Sequence, residues 1–272
     1  MSEVSLQITD LSVSYSNGHY SSTDLDASDK TNDVLRDLSV LFDQGQIHWL
    51  LGPNGAGKST MFKAICGEIP VHRGQISFEN HYLNDLPPSS RVRYGIGRFL
   101  QTQWVFPNLS LLDNIRIAIT RQPGENMLTA LLPSSWRRET EITGRSIQLL
   151  KDYGFQERYD IANTPAGALS CGWAKLLSIV RLLAQDPKLW LLDEPIANVD
   201  EANQERICRI IEEQVRQRGR TVILIEHEVG AAGRISHLAD RAVLMFQGRV
   251  VSDGLPLEVK ASKSYRDVFG VA

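Results

Sequence analysis

The sequence predicts an α/β protein built around parallel strands, and three observations lead there. Four short apolar segments, Ile47–Leu51, Lys188–Leu192, Thr221–Ile225 and Ala242–Phe246, have the length and composition of buried strands. Helical periodicity separates several of them, and strand–helix–strand alternation implies parallel strands joined by right-handed crossovers. The first of these strands runs into a glycine-rich turn and then a helix, which places chemistry at a strand's carboxyl end.

In chain order, Val4 to Tyr15 alternates apolar and polar residues, with Leu6, Ile8, Leu11 and Val13 as its apolar members, and reads as a half-exposed strand. Ser16 to Asp33 is rich in Ser, Asp, Gly and Asn, has little to bury, and predicts a long mobile loop. Val34 to Leu41 resumes strand-like alternation. Ile47–Leu51 ends at Gly52, and Met61 to Cys66 reads as the first turns of a helix. From Leu109 to about Leu183 the pattern is helical; Ile142, Leu149, Leu150 and Tyr153 share one face. This stretch reads as a subdomain inserted into the α/β core. Ile207, Ile210, Ile211 and Val215 mark an amphipathic helix that closes near Gly219. No internal repeat is visible.

A length of 272 residues fits one large domain or two small ones, and 42% apolar residues suffice for a real core. Lys and Arg total 29 against 32 Asp and Glu, a net charge of −3, which argues against a nucleic-acid partner. No apolar run approaches the ~18 residues of a membrane span. Met1 to Asp10 lacks the basic and apolar regions of a secretory signal. Cys66, Cys171 and Cys208 are scattered, so a reducing compartment is expected. His19, His48, His72, His81 and His237 have no metal-ligand spacing.

Two motifs carry chemistry. Gly52-Pro53-Asn54-Gly55-Ala56-Gly57-Lys58-Ser59 matches the phosphate-binding pattern G-x-x-x-x-G-K-[ST], between a strand and a helix. Glycines let backbone N–H groups turn inward as an anion nest, and the helix adds its positive N-terminus. Lys58 would reach the β/γ-phosphates and the Ser59 hydroxyl a Mg²⁺ ion. Leu189 to Leu192 then ends in Asp193 and Glu194. Beside a phosphate loop, Asp193 can hold Mg²⁺ and Glu194 can polarise an attacking water; alone, the pair is equally an acidic turn at a strand's end.

Taken together these residues resemble an ATP-binding-cassette (ABC) ATPase over nearly the whole chain. Gly52–Ser59 resembles the Walker A motif, with Thr60 beside it, and Leu189–Glu194 resembles Walker B with its catalytic glutamate. Gln101 resembles the Q-loop glutamine, Leu169–Lys175 the signature segment, Ala197–Asp200 the D-loop, His227 the switch histidine, and Tyr15 the aromatic that stacks on adenine.

The resemblance implies an α/β nucleotide-binding cassette over 4–254, with an antiparallel β subdomain and a helical subdomain inserted at about 102–184, and a C-terminal tail over 255–272. It implies ATP and Mg²⁺ as ligands, the metal at Ser59, Gln101 and Asp193, and catalysis by Glu194, His227 and Gln101. Ser170 and Gly172 would cap the ATP held by a second subunit. The partners implied are transmembrane permease subunits, a second ATPase subunit and a periplasmic or extracellular substrate-binding protein. The location implied is peripheral, on the cytoplasmic face of the inner or plasma membrane.

Gly95–Thr102 and Phe106–Leu109 resemble the subfamily that powers uptake of branched-chain amino acids, amides and urea, and so do Leu131–Arg138 and Tyr265–Gly270. Exporters of lipopolysaccharide share part of these features. Cys171 stands where the signature usually has glycine and Trp173 where it has glutamine, which favours a heterodimer over a homodimer. Asn198-Val199 and the long Ser16–Asp33 segment also depart from the pattern. Two other functions remain open: a soluble, non-transport ABC ATPase, and the ATPase of a lipid or polysaccharide exporter. A P-loop kinase or GTPase is disfavoured, because no guanine-reading N-K-x-D segment follows.

Overall fold

A computed structural model describes residues 4–16, 19–21, 33–101, 105–119, 133–226 and 232–270. In chain order its elements are β1 (Val4–Ser16), β2 (His19–Ser21), β3 (Asp33–Asp43), β4 (Ile47–Leu51), α1 (Lys58–Cys66), β5 (Arg73–Phe78), β6 (His81–Tyr82), α2 (Pro88–Arg93) and β7 (Ile96–Phe99). There follow α3 (Leu111–Arg116), α4 (Pro133–Asp152), α5 (Cys171–Gln185), β8 (Leu189–Asp193), α6 (Glu201–Arg216), β9 (Thr221–Ile225) and α7 (Ala232–Leu238). The chain closes with β10 (Arg241–Phe246), β11 (Arg249–Gly254), α8 (Pro256–Ala261) and α9 (Lys263–Phe269).

Every residue of β4, β8 and β9 is buried, which is why these segments are apolar except at His48, Asp193 and Thr221 rather than alternating. They belong to a sheet of order β11-β10-β4-β9-β8-β7, in which β10, β4, β9 and β8 run parallel. Leu50 and Asp193 both pair with Ile225, so β4 and β8 end level with each other on either side of β9. A second, antiparallel sheet runs β2-β1-β5-β6, with β3 also paired to β1. Only one face of β3 reaches the core, where Leu35, Leu38, Val40 and Phe42 are buried.

The described residues form two compact units, 1–98 with 188–197 and 208–272, and 99–187 with 198–207. In the first, Leu6, Phe42, Phe62, Ile76 and Met245 belong to one core. In the second, α5 buries 12 of its 15 residues, more than a surface helix would.

Two expectations change. Within the supposed loop 16–33, His19–Ser21 is a strand whose Tyr20 pairs with Tyr15; residues 17–18 and 22–32 lie outside the described residues. Met61–Cys66 is the end of a helix rather than its start, because α1 begins at Lys58 and Gly67, at φ 75°, caps it. The C-terminal stretch after Gly254 carries two short helices.

Candidate functional site

The strand β4 delivers the chain into Gly52, whose φ is 145°. A Cβ there would run into the carbonyl oxygen of Met245 on the neighbouring strand, so only glycine fits. Gly57, at φ 99°, is the residue before α1, and a Cβ on it would lie 2.7 Å from the Leu35 side chain. No side chain caps α1, which leaves its first N–H groups for a ligand. The loop braces itself: Ala56 N–H donates to the Pro53 carbonyl at 3.2 Å, and Gly248 N–H to the Ala56 carbonyl at 3.0 Å. Asn54 and Gly55 are exposed, Pro53, Ser59 and Thr60 half-buried.

Lys58 turns back over this loop. Its Nζ donates to the carbonyls of Gly52 at 2.6 Å and Pro53 at 3.0 Å, and the residue is 7% exposed. Burial lowers its pKa, while the charges of Asp193 and Glu194 raise it again. Asp193 is buried at the end of β8. Its carboxyl is pushed up, chiefly by burial, against the Ser59 hydrogen bond and the charges of Arg98 and Lys58. Lys58, Ser59, Asp193 and Glu194 thus form one cluster at the level ends of β4 and β8.

Glu194 leaves the strand with φ 54°, and its N–H donates to the Ile225 carbonyl at 2.9 Å. That left-handed turn ends the strand within one residue, at a local cost of about 1–3 kcal/mol. The following turn is fastened by Glu226, a buried residue that the sequence reading missed. Its Oε1 accepts from Ile196 N–H at 2.8 Å, and its carbonyl accepts from the Trp49 indole at 3.3 Å. Arg98, also missed, donates to Glu68 at 2.6 Å and adds positive charge near Asp193. The only sequence signals were an acid beside His227 and an arginine three residues before Gln101.

The second unit holds Ser170 and Gly172. Ser170 precedes α5 in extended geometry, yet its exposed side chain makes no capping bond, so the hydroxyl is not committed to its own helix. A Cβ on Gly172 would lie 2.5 Å from Asp200 Oδ2 and 2.9 Å from Asn203 Nδ2. Asn203 Nδ2 in turn donates to Asp200 at 2.8 Å, and this bond holds the Asp200 carboxyl below its usual range.

Trp173 is buried rather than presented. Its ring meets Phe155 and Tyr159 edge to face, at 5.0 and 5.5 Å, and the Arg158 and Arg206 guanidinium carbons stand 5.5 and 5.3 Å from its centre. Cys171 is exposed.

Gln101 is exposed and lies in this second unit. The backbone of Tyr15 belongs to β1, but its side chain is outside the described residues, as is the whole of His227.

The residues suit ATP with Mg²⁺. The inward loop, the uncapped helix and a buried ammonium form a cradle for phosphate oxygens. Ser59 hydroxyl and Asp193 carboxylate, already hydrogen-bonded, are the hard oxygen donors that Mg²⁺ takes. Among the described residues no group of three or more His, Cys, Asp or Glu is placed to hold a metal. Also among them, no helix is long and apolar enough to cross a membrane.

Residues 35–197 match the family model described as ABC transporter. The chain is 31% identical over 222 residues to the probable branched-chain amino acid transport ATP-binding protein LivG of Methanocaldococcus jannaschii, covering 81% of this chain and 83% of that protein. It is 32% identical over 236 residues to the lipopolysaccharide export system ATP-binding protein LptB of Escherichia coli, covering 87% and 90%. A nucleotide-free ATP-binding cassette from an ABC transporter superposes with a TM-score of 0.77 over 98% of both chains, at 25% identity.

Proposed function

The chain belongs to the ABC transporter family as an ATP-hydrolysing subunit, and from that premise we propose which solute class it serves, which residues act and how it pairs. Subunits of this kind dimerise, work with transmembrane permeases and are peripheral to the membrane. We propose uptake of amino acids, amides or urea, with a substrate-binding protein outside the membrane delivering the solute. Gly95–Thr102 supports this reading, as does the likeness to LivG. The likeness to LptB favours a second reading, a lipopolysaccharide-type exporter.

The observation that carries the proposed chemistry is the cluster of Lys58, Ser59, Asp193 and Glu194 at the level ends of β4 and β8. Lys58 exchanges the Gly52 and Pro53 carbonyls for the β/γ-phosphate oxygens. Backbone N–H groups of the loop and of α1 hold the remaining charge. Ser59, Asp193 and Gln101 would hold Mg²⁺, which would supply positive charge to neutralise the phosphates.

Glu194 accepts the proton of the attacking water, and His227 donates to the γ-phosphate. Tyr15 stacks on adenine. Ser170 and the start of α5 in a second subunit close over the nucleotide. The cassette takes in residues 4–254, with the helical subdomain inserted at about 102–184, and 255–272 form a C-terminal tail. The segment Gln101–Asn114, in which Phe106 and Leu109 are exposed, would line the groove for a permease helix.

The test has two arms. Co-expression with the neighbouring permease genes, followed by purification through this chain, identifies the transporter. Reconstituted uptake of a labelled amino acid, amide or urea that needs ATP supports the uptake reading, whereas movement of lipopolysaccharide supports the exporter reading. ATP hydrolysis that survives Glu194→Gln at the wild-type rate overturns the assigned base.

A further inference from the structure

Between Gln101 and Ser170 runs a strap of hydrogen bonds that none of the assigned roles uses. Residues 106–110 form a turn with Phe106 48% exposed and Leu109 37% exposed. Asn114 of α3, fully buried, fastens this turn from beneath. Its Oδ1 accepts from Phe106 N–H at 2.8 Å, and its Nδ2 donates to the carbonyls of Phe106 and Ser110 at 3.0 Å and of Leu109 at 3.3 Å. A buried amide with both ends satisfied by backbone is costly to replace, since the backbone groups it leaves behind have no water to bond instead.

The other edge of the turn is bonded to the residues that lead into the signature segment. Ala166 N–H donates to the Leu109 carbonyl and Gly167 N–H to the Pro107 carbonyl, both at 2.9 Å, and Leu111 N–H to the Thr164 carbonyl at 3.2 Å. A Cβ on Gly167 would lie 3.1 Å from both the Cβ and the carbonyl oxygen of Pro107, so the two segments are in contact. From there one tight turn, Leu169 N–H to the Ala166 carbonyl at 3.2 Å, leads to Ser170 and α5. The Arg181 guanidinium of α5 also stacks 4.8 Å from the centre of the Phe106 ring.

We infer that Asn114 is a positioning residue that makes the Phe106–Ser110 turn and the signature segment one hydrogen-bonded body. A permease helix that displaces Phe106 and Leu109 then moves Ser170 and Gly172 with them. A close-packed, fully bonded body transmits such a displacement because bending it would break several bonds at once. This inference rests on the proposed permease groove and on the proposed role of Ser170.

The experiment compares the full chain with its Asn114→Ala, Asn114→Asp and Gly167→Ala variants by hydrogen exchange and steady-state ATP hydrolysis. In Asn114→Ala the amides of Phe106, Ala166 and Gly167 exchange about tenfold faster, and the acceleration extends through Leu169 to Ala174, while those of α1 keep their protection. Asn114→Asp, which keeps the acceptor for Phe106 N–H and loses the donors, falls between.

The kcat drops about tenfold with KM for ATP within about twofold, because the phosphate loop is untouched. Gly167→Ala leaves Asn114 in place, crowds Pro107, and gives the same loss in kcat alone; it carries the test if Asn114→Ala does not fold. Faster exchange confined to 105–114, or unchanged kcat in the folded variants, overturns the inference. Wild-type turnover in Glu194→Gln overturns instead the reading of the site on which it rests.

Discussion

The ammonium of Lys58 donates to the Gly52 carbonyl at 2.6 Å, so the one side-chain cation of the phosphate loop closes that loop upon itself. Its charge is already desolvated, and burial holds its pKa below the usual lysine range. Phosphate oxygens therefore replace carbonyl acceptors rather than water, and most of the cost of burying the cation has been met by folding.

Lys58→Ala removes both the loop's internal clasp and its cation. Charge-assisted hydrogen bonds contribute about 1.5–3 kcal/mol each, so ATP affinity is expected to fall on the order of 10- to 100-fold. Equilibrium titration with a fluorescent ATP analogue measures it. Unchanged affinity would mean that the backbone nest alone holds the phosphates.

Glu194→Gln keeps the left-handed turn, because Glu194 N–H still reaches the Ile225 carbonyl. The amide cannot accept a proton, and general-base contributions are about 10²–10⁴-fold. The expected outcome is ATP binding within about twofold of wild type and turnover down at least a hundredfold. Single-turnover hydrolysis with labelled ATP separates the two.

His48 predicts an acid-sensitive fold. It is buried against Phe42, its Nε2 lies 3.1 Å from the Asp43 carbonyl, and its Nδ1 has no partner. Desolvation lowers its pKa from 6.5, with the Asp43 hydrogen bond opposing. The unfolded chain thus takes up the proton first, and the stability His48 contributes above pH 6.5 is lost as pH falls through the depressed folded value. Asp200, whose carboxyl is held low, loses its contribution only further down, below about 3.8. Thermal melts between pH 7.5 and 5 should fall in Tm for the wild type and flatten in His48→Gln. Parallel melting curves would remove His48 from the account.

Much of the fold could be read from strands that are buried on both faces. Ile47–Leu51 and Thr221–Ile225 carry the same bounds in sequence and structure, because a central parallel strand has no polar face to blur its ends. Residues 73–99 escaped because β5, β6, α2 and β7 are too short for a period to establish itself, and Arg91, a buried cation, looks like surface.

At the site, the residue types and order of Lys58, Ser59, Asp193 and Glu194 were legible. Glu226 and Asn114 were not, since a side chain that satisfies buried backbone has no local signal. Trp173 was legible only as a departure. Its aromatic and arginine neighbours come from Phe155–Tyr159 and α6, far away in sequence.

Those neighbours decide the last prediction, which concerns the proposed heterodimer. If Trp173 were a damaged glutamine, Trp173→Gln would restore the signature of this chain. The buried ring, with Phe155 and Tyr159 at its edges and two guanidiniums nearby, says otherwise. Removing a packed aromatic costs about 3–5 kcal/mol when the site cannot collapse, so Trp173→Gln should lower Tm by several degrees and leave hydrolysis no faster. Cys171 is different: it is exposed at the first position of α5. Cys171→Gly should keep the wild-type stability within about 1 kcal/mol, since a glycine at a helix end costs about that much or less. In a homodimer every composite site uses this signature, and Cys171→Gly should then raise kcat several-fold. In a heterodimer with a neighbouring ATPase subunit, the site built on Lys58 and Glu194 faces the partner's signature and should keep its rate. Hydrolysis is measured for the chain alone and for the purified pair, with and without Cys171→Gly. Robust ATP-dependent homodimerisation and full activity of the unmodified chain alone would overturn the heterodimer.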